Sequence, residues 1–168
     1  EYTECANIAA FNALEAGTYA KITLTNAEII GKSADGYSTV WVQDATGGAW
    51  IQYTSLNDRL QEGTKVNGTV FTIKRFTAGN PQLKEAEATI NSEIASEAIS
   101  SYTIVKGTIE EVNVPENLNK VVKISGATLA MTSASAGKLT LGETTIDVNN
   151  GTETANQLLA KIAERSQA

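Results

Sequence analysis

The chain of 168 residues carries 13 Lys and Arg against 19 Asp and Glu, a formal net charge of -6, with 42% hydrophobic and 19% charged residues. That length suits one ordinary domain or two small ones, and that composition sustains a packed core and excludes wholesale disorder. The chain has no His and a single Cys, Cys5, which excludes imidazole chemistry, an intrachain disulfide and a cysteine zinc site.

The first stretch, 7–16 (NIAAFNALEA), reads as a helix: Ile8, Phe11 and Leu14 fall on one stripe, Asn7 is placed to cap the start and Gly17 to end it. Residues 18–31 (TYAKITLTNAEIIG) read as a long strand. Ala20, Ile22 and Leu24 alternate with polar residues, and after Asn26 the apolar set moves to Ala27 and Ile29. A phase change of one residue is what a β-bulge produces.

Residues 37–54 give the strongest local signal, two alternating runs around Asp44-Ala45-Thr46-Gly47-Gly48. Pairing Val42 with Ala49 and Val40 with Ile51 puts small and branched side chains on one face. The same register sets Trp41 opposite Trp50 on the other, with Tyr37, Thr39, Gln43 and Gln52. Leu56 and Leu60 suggest a helical turn within 55–64. Residues 65–76 form a fourth strand with Gly68 as a bulge or close approach. Ala78 to Pro81 make a turn, and 82–90 a fifth strand that closes a barrel.

Residues 91–101 (NSEIASEAISS) are small and polar and read as a linker or short helix. The predicted domains are therefore 1–90, a β-barrel with an N-terminal helix, and 102–168, a second β module with a C-terminal helix. The second module has strands over 103–112, 120–131, 138–141 and 144–148, a tight turn at Gly142-Glu143, and a helix over 153–165 capped by Thr152. A weak repeat relates 120–150 to 18–54, but the second copy lacks counterparts of the fourth and fifth strands.

The stretches IAAFNALEAGTYAKITLTNAEI, VWVQDATGGAWIQY and EGTKVNGTVF together resemble OB-fold modules of secreted and lipid-anchored proteins from Bacteroidetes. The shared pattern is a helix ending in Gly, a strand ending TNA, a V-Q-D-x-T-G hairpin and a G-x-x-V-x-G strand. It covers about Asn7 to Ile90. The resemblance implies a mainly β fold with flanking helices: an OB-type five-stranded barrel followed by an incomplete or divergent OB-like module. It also implies secretion or placement in the cell envelope. The opening Glu-Tyr-Thr-Glu-Cys has no leader pattern and reads as a mature or trimmed chain. Cys5 follows four residues, whereas a processed lipoprotein begins at its Cys.

In OB-folds the face of strands 2 and 3 commonly binds oligosaccharides or oligonucleotides. The expected ligand face is thus Trp41, Trp50, Tyr37, Gln43 and Gln52, with Arg75 from a Lys74-Arg75-Phe76 patch nearby. Indole rings stack well on sugars and bases. The alternative is a cross-strand pair that stabilises the hairpin or is covered by another element. Nucleic acid is disfavoured: phosphate binding draws on clustered Lys and Arg, and no basic run is present beyond Lys74-Arg75. The same acidity disfavours an anionic membrane surface, and no apolar run approaches the ~18 residues of a membrane helix.

Asp44 fits a turn better than a calcium loop, because its surroundings lack alternating Asp and Asn. Glu110 and Glu111, if on a strand, point to opposite faces, and Glu85 and Glu87 to one solvated face, so neither pair reads as catalytic. The sequons Asn67-Gly68-Thr69 and Asn150-Gly151-Thr152 carry little weight in a bacterial chain. The expectation is a non-enzymatic binding or adhesion module without metal or cofactor, its ligand a glycan or a protein. The alternatives are a structural spacer of a larger surface protein and a single-stranded nucleic-acid binder.

Overall fold

The computed structural model describes residues 1–32, 40–51, 59–74, 94–133 and 136–149. The protein is mainly β. Its strands are β1 (Thr3–Cys5), β2 (Tyr19–Lys32), β3 (Val40–Gln43), β4 (Gly48–Ile51), β5 (Thr64–Ile73), β6 (Ile94–Ala98), β7 (Val105–Gly107), β8 (Val122–Ile124), β9 (Thr128–Met131), β10 (Ala136–Leu141) and β11 (Thr144–Asn149). Two short helices, α1 (Ile8–Asn12) and α2 (Ile109–Val112), and one 3-10 turn (Pro115–Asn117) complete the described elements. The chain divides into two compact units: Glu1–Val105 with Pro115–Val121, and Lys106–Val114 with the residues from Val122 onward.

The first unit is built on β2. Its alternating residues Ala20, Ile22 and Leu24 are buried, and after a register shift between Leu24 and Ala27 the buried set continues with Ala27 and Ile29. The bulge centres on Asn26, whose φ of 47° is one that Asn tolerates better than most side chains. Asn67 of β5 clamps it: Asn26 N donates to Asn67 Oδ1 at 2.8 Å, and Asn67 Nδ2 to Asn26 Oδ1 at 3.3 Å. The phase change legible at Asn26 is this bulge. A second shift lies between Ile29 and Gly31, beside β3.

The sheet runs β4-β3-β2-β5-β6, with β1 pairing in parallel to β2. The expected closed barrel is not formed: among the described residues β4 and β6, the two ends of the path, are not paired. The fifth strand expected over 82–90 lies outside the described residues. Instead 94–98, read from composition as a linker, forms β6 against Thr64–Gly68. Four of its five residues are exposed, so it lacks the apolar alternation by which a strand announces itself. Gly68, at φ 139°, sits where β5 meets both Leu24 and Ile94. Leu60 is fully buried in the same core as Ile8 and Phe11 of α1, Val40, Val42, Ala49, Ile51, Val66 and Val70. Each of the larger side chains, Ile, Leu, Val and Phe, contributes about 1.5–3 kcal/mol on burial.

Helix α1 is shorter than the ten residues expected. Asn7 caps it as predicted, accepting from Ala10 N at 2.8 Å. The helix stops at Asn12 because the chain tightens: Leu14 N bonds Phe11 O, and Gly17, at φ 89°, donates to Lys74 O at 2.7 Å. Lys74 Nζ reaches Asn12 O at 3.2 Å and lies 4.9 Å from the Phe11 ring centroid. Lys74 therefore holds the helix end, while Arg75 and Phe76 lie outside the described residues.

On β6, Glu97 faces Lys65 across the ladder at 2.8 Å. The hydrogen bond from Lys65, and then its charge, hold the Glu97 carboxyl below the usual range. A lowered folded-state value means that the pair favours folding above the ordinary carboxylate pKa. That contribution is lost as pH falls through the folded value. An NMR titration is expected to place the Glu97 midpoint below that of an isolated Glu, and Lys65→Met to return it; an unchanged midpoint in the variant would remove Lys65 as the cause.

In the second unit, β9, β10 and β11 form an antiparallel meander with its turn at Gly142 (φ 62°), as expected. Two expectations are corrected. The strand over 103–112 is only β7, because Thr108 and Glu111 form a capping box that starts α2. The strand over 120–131 is interrupted at Gly126 (φ 77°), which separates β8 from β9. Ile109 and Val112 of α2 are its buried apolar side chains among the described residues. The helix expected over 153–165, with its cap Thr152, lies outside them.

Candidate functional site

The β3–β4 hairpin takes the register its alternation predicts: Val40 pairs with Ile51, Trp41 with Trp50, Val42 with Ala49 and Gln43 with Gly48. Its turn is fixed by Asp44. Oδ1 accepts from Thr46 N (2.7 Å), Thr46 Oγ1 (2.6 Å) and Gly47 N (3.0 Å), and Oδ2 accepts from Ile8 N (3.1 Å). Thr46 Oγ1 accepts from Ala9 N at 3.1 Å, and Asn12 Nδ2 donates to Gly48 O at 2.9 Å. With Asn7 on Ala10 N, three of the N–H groups that a helix start leaves unpaired are satisfied by side chains. The turn and α1 are thus one rigid piece, and the Asp44 carboxylate is committed to it.

The two faces of the hairpin differ. Val40, Val42, Ala49 and Ile51 lie in the core, whereas Trp41 and Trp50 on the opposite face are half-buried. Gly31, paired to Trp41, lets the indole lie close: a Cβ there would stand 3.3 Å from Trp41 Cε3. Two flat apolar rings with polar N–H groups, side by side on a stiff ribbon, can stack on a planar or sugar-like ligand.

Gln43 shares that face but is 4% exposed, and its amide is used within the protein. Nε2 donates to Thr103 O at 2.8 Å and to Glu28 Oε2, and Oε1 accepts from Val121 N at 2.9 Å. Glu28, paired to Gln43, accepts from Thr103 N and from Thr103 Oγ1 at 3.0 Å. Sequence reasoning missed these partners, which lie 60 to 78 residues from Gln43 and Glu28. Tyr37, Gln52 and Arg75 lie outside the described residues. Of the six predicted site residues the structure therefore brings together Trp41, Trp50 and Gln43, and it gives Gln43 a buried bonding role.

Glu110 and Glu111 are on a helix, not a strand. Glu111 Oε2 accepts from Thr108 N to complete the capping box, and Glu110 accepts from Thr144 Oγ1, a bond that holds its carboxyl below the usual range. Among the described residues there is no group of three metal-ligating side chains, and no helix is long and apolar enough to cross a membrane. Compared with protein-family models, curated proteins and solved structures, the chain matches none of them.

Proposed function

We propose that this chain is a non-enzymatic binding or adhesion module of the bacterial cell envelope, built on an OB-type sheet, that takes a glycan on the β3–β4 face. One observation carries the reading: Trp41 and Trp50 stand opposite each other, half-buried, while the other face of the same ribbon fills the core. The OB-type frame is supported by the strand order. β4-β3-β2-β5-β6 is the order of an OB sheet left open between its third and fifth strands, a fold described as a partly open Greek-key barrel. The envelope placement rests on the resemblance in sequence. The net charge of -6 argues for a neutral ligand over a polyphosphate one.

A structural spacer within a larger surface protein is the second reading, favoured by the covering of Gln43 by the chain itself. Tryptophan fluorescence separates the two, since only two indoles report. Titration with pooled oligosaccharides is expected to give a saturable change that Trp41→Ala and Trp50→Ala each weaken, in variants that still unfold cooperatively. A salt-sensitive response to short single-stranded DNA instead would favour the nucleic-acid reading. No response to either, with emission typical of shielded indoles, would leave the spacer.

A further inference from the structure

Glu28, Gln43 and Gly48 are successive partners in one row across β2, β3 and β4. All three serve the same returning stretches of chain. Glu28 and Gln43 hold Thr103, and Gln43 also holds Val121. Gly48 lies directly against Leu118 and Asn119: a Cβ there would come 2.5 Å from the Asn119 carbonyl carbon and oxygen and 2.6 Å from Leu118 O. Asn119 itself has a φ of 61°, in the left-handed region.

The stretch 115–121 is seated without apolar anchorage. None of its residues is buried, and Leu118 is 68% exposed. Its internal bonds are short-range, Leu118 N to Pro115 O and Lys120 N to Asn117 O. Beyond these, Val121 N donates to the Gln43 amide and Val121 O accepts from Val105 N at 3.0 Å, and the stretch fits closely over Gly48. A segment with few buried apolar contacts opens at lower cost than the core beneath it.

We propose that residues 115–121 form a latch on the β3–β4 face, held by Gln43 and admitted by the missing side chain of Gly48, which opens without unfolding the sheet. The latch stands on hydrogen bonding and burial alone. Its consequence for a ligand rests on the binding reading above: opening frees Gln43 Oε1 and the strip over Gly48, two residues along from Trp41 and Trp50, and so lengthens the stacking face.

The test is amide hydrogen exchange on the intact chain, wild type against Gly48→Ala and Gln43→Met. The first forces Asn119 off the strand and leaves Gln43 intact; the second keeps the volume of Gln43 and removes its hydrogen bonds. Both variants are expected to speed exchange at Leu118, Lys120 and Val121 about tenfold, the loss of roughly one hydrogen bond's stabilisation, with Ile22 and Val70 unchanged. Unchanged rates over 118–121 in both variants would overturn the latch. So would equal acceleration at Ile22 and Val70, which would make the segment part of the sheet's own cooperative unit. Glycan titration of the same proteins is read separately. Tighter binding by Gly48→Ala, which opens the latch and keeps Gln43, is expected if the latch limits the face. Faster exchange with no glycan bound by any of the three proteins would sink the binding reading and leave the latch standing.

Discussion

Replacing Ile22 with alanine is expected to lower the stability of the first unit by about 2–5 kcal/mol, the range for deleting a large buried aliphatic. Ile22 is 1% exposed at the middle of β2. It pairs with Cys5 on one side and Val70 on the other, both buried. Ties on both sides leave the backbone little room to collapse into the space, which places the cost in the upper half of the range. The urea midpoint measures it, with an unchanged slope. Thr23→Ala, one residue on and facing solvent, is the control and should shift stability by less than about 0.5 kcal/mol. Similar losses at both positions would mean that β2 does not divide the sheet into a core face and a solvent face.

Asp44→Ala should cost about 3 kcal/mol. One carboxylate there accepts four hydrogen bonds, three that shape the hairpin turn and one from the first N–H of α1. Bonds to a charged acceptor are stronger than neutral ones, and a lost helix cap alone costs about 0.5–2 kcal/mol. Asp44→Asn keeps one acceptor oxygen and should lose roughly half as much. Chemical denaturation of both variants checks the ranking. A loss below about 0.5 kcal/mol for the alanine variant would mean that the Gly47-Gly48 backbone makes the turn unaided and that α1 docks by Ile8 and Phe11 alone.

What could be read from sequence was whatever repeats at short range. Alternation over 40–51 fixed three apolar and aromatic pairings, because shifting a strand by one residue reverses every side chain. The bulge at Asn26 was legible for the same reason: buried residues change parity there. Where burial has no period, reading failed. Strand β6 is exposed along four of its five residues and so resembled a linker. Helix α2 spans four residues, about one turn, too few to establish a helical period against the β-branched residues around it. Its capping box, Thr108 with Glu111, was the available signal. Gln43 shows the limit most clearly. Parity assigned it to the face of Trp41, but the groups that cover it are Thr103 and Val121. No local pattern links a residue to a cover so far along the chain.

The parallel strand β1 also has a bearing on how this protein behaves in a crowd. Strand β2 spans 14 residues, and one flank of it is shared, β1 lying along Ala20 to Ile22 and β3 along Glu28 to Lys32. Without β1, the stretch around Ile22 would present a bare row of amide and carbonyl groups beside apolar side chains, a template for edge-to-edge aggregation. Three residues suffice to blunt it. They are held by buried Cys5, by the Lys21–Glu4 ion pair and by Tyr2 packed edgewise on Tyr19 and Phe71. The N-terminal segment is, in this sense, a guard against self-association stitched onto the longest strand.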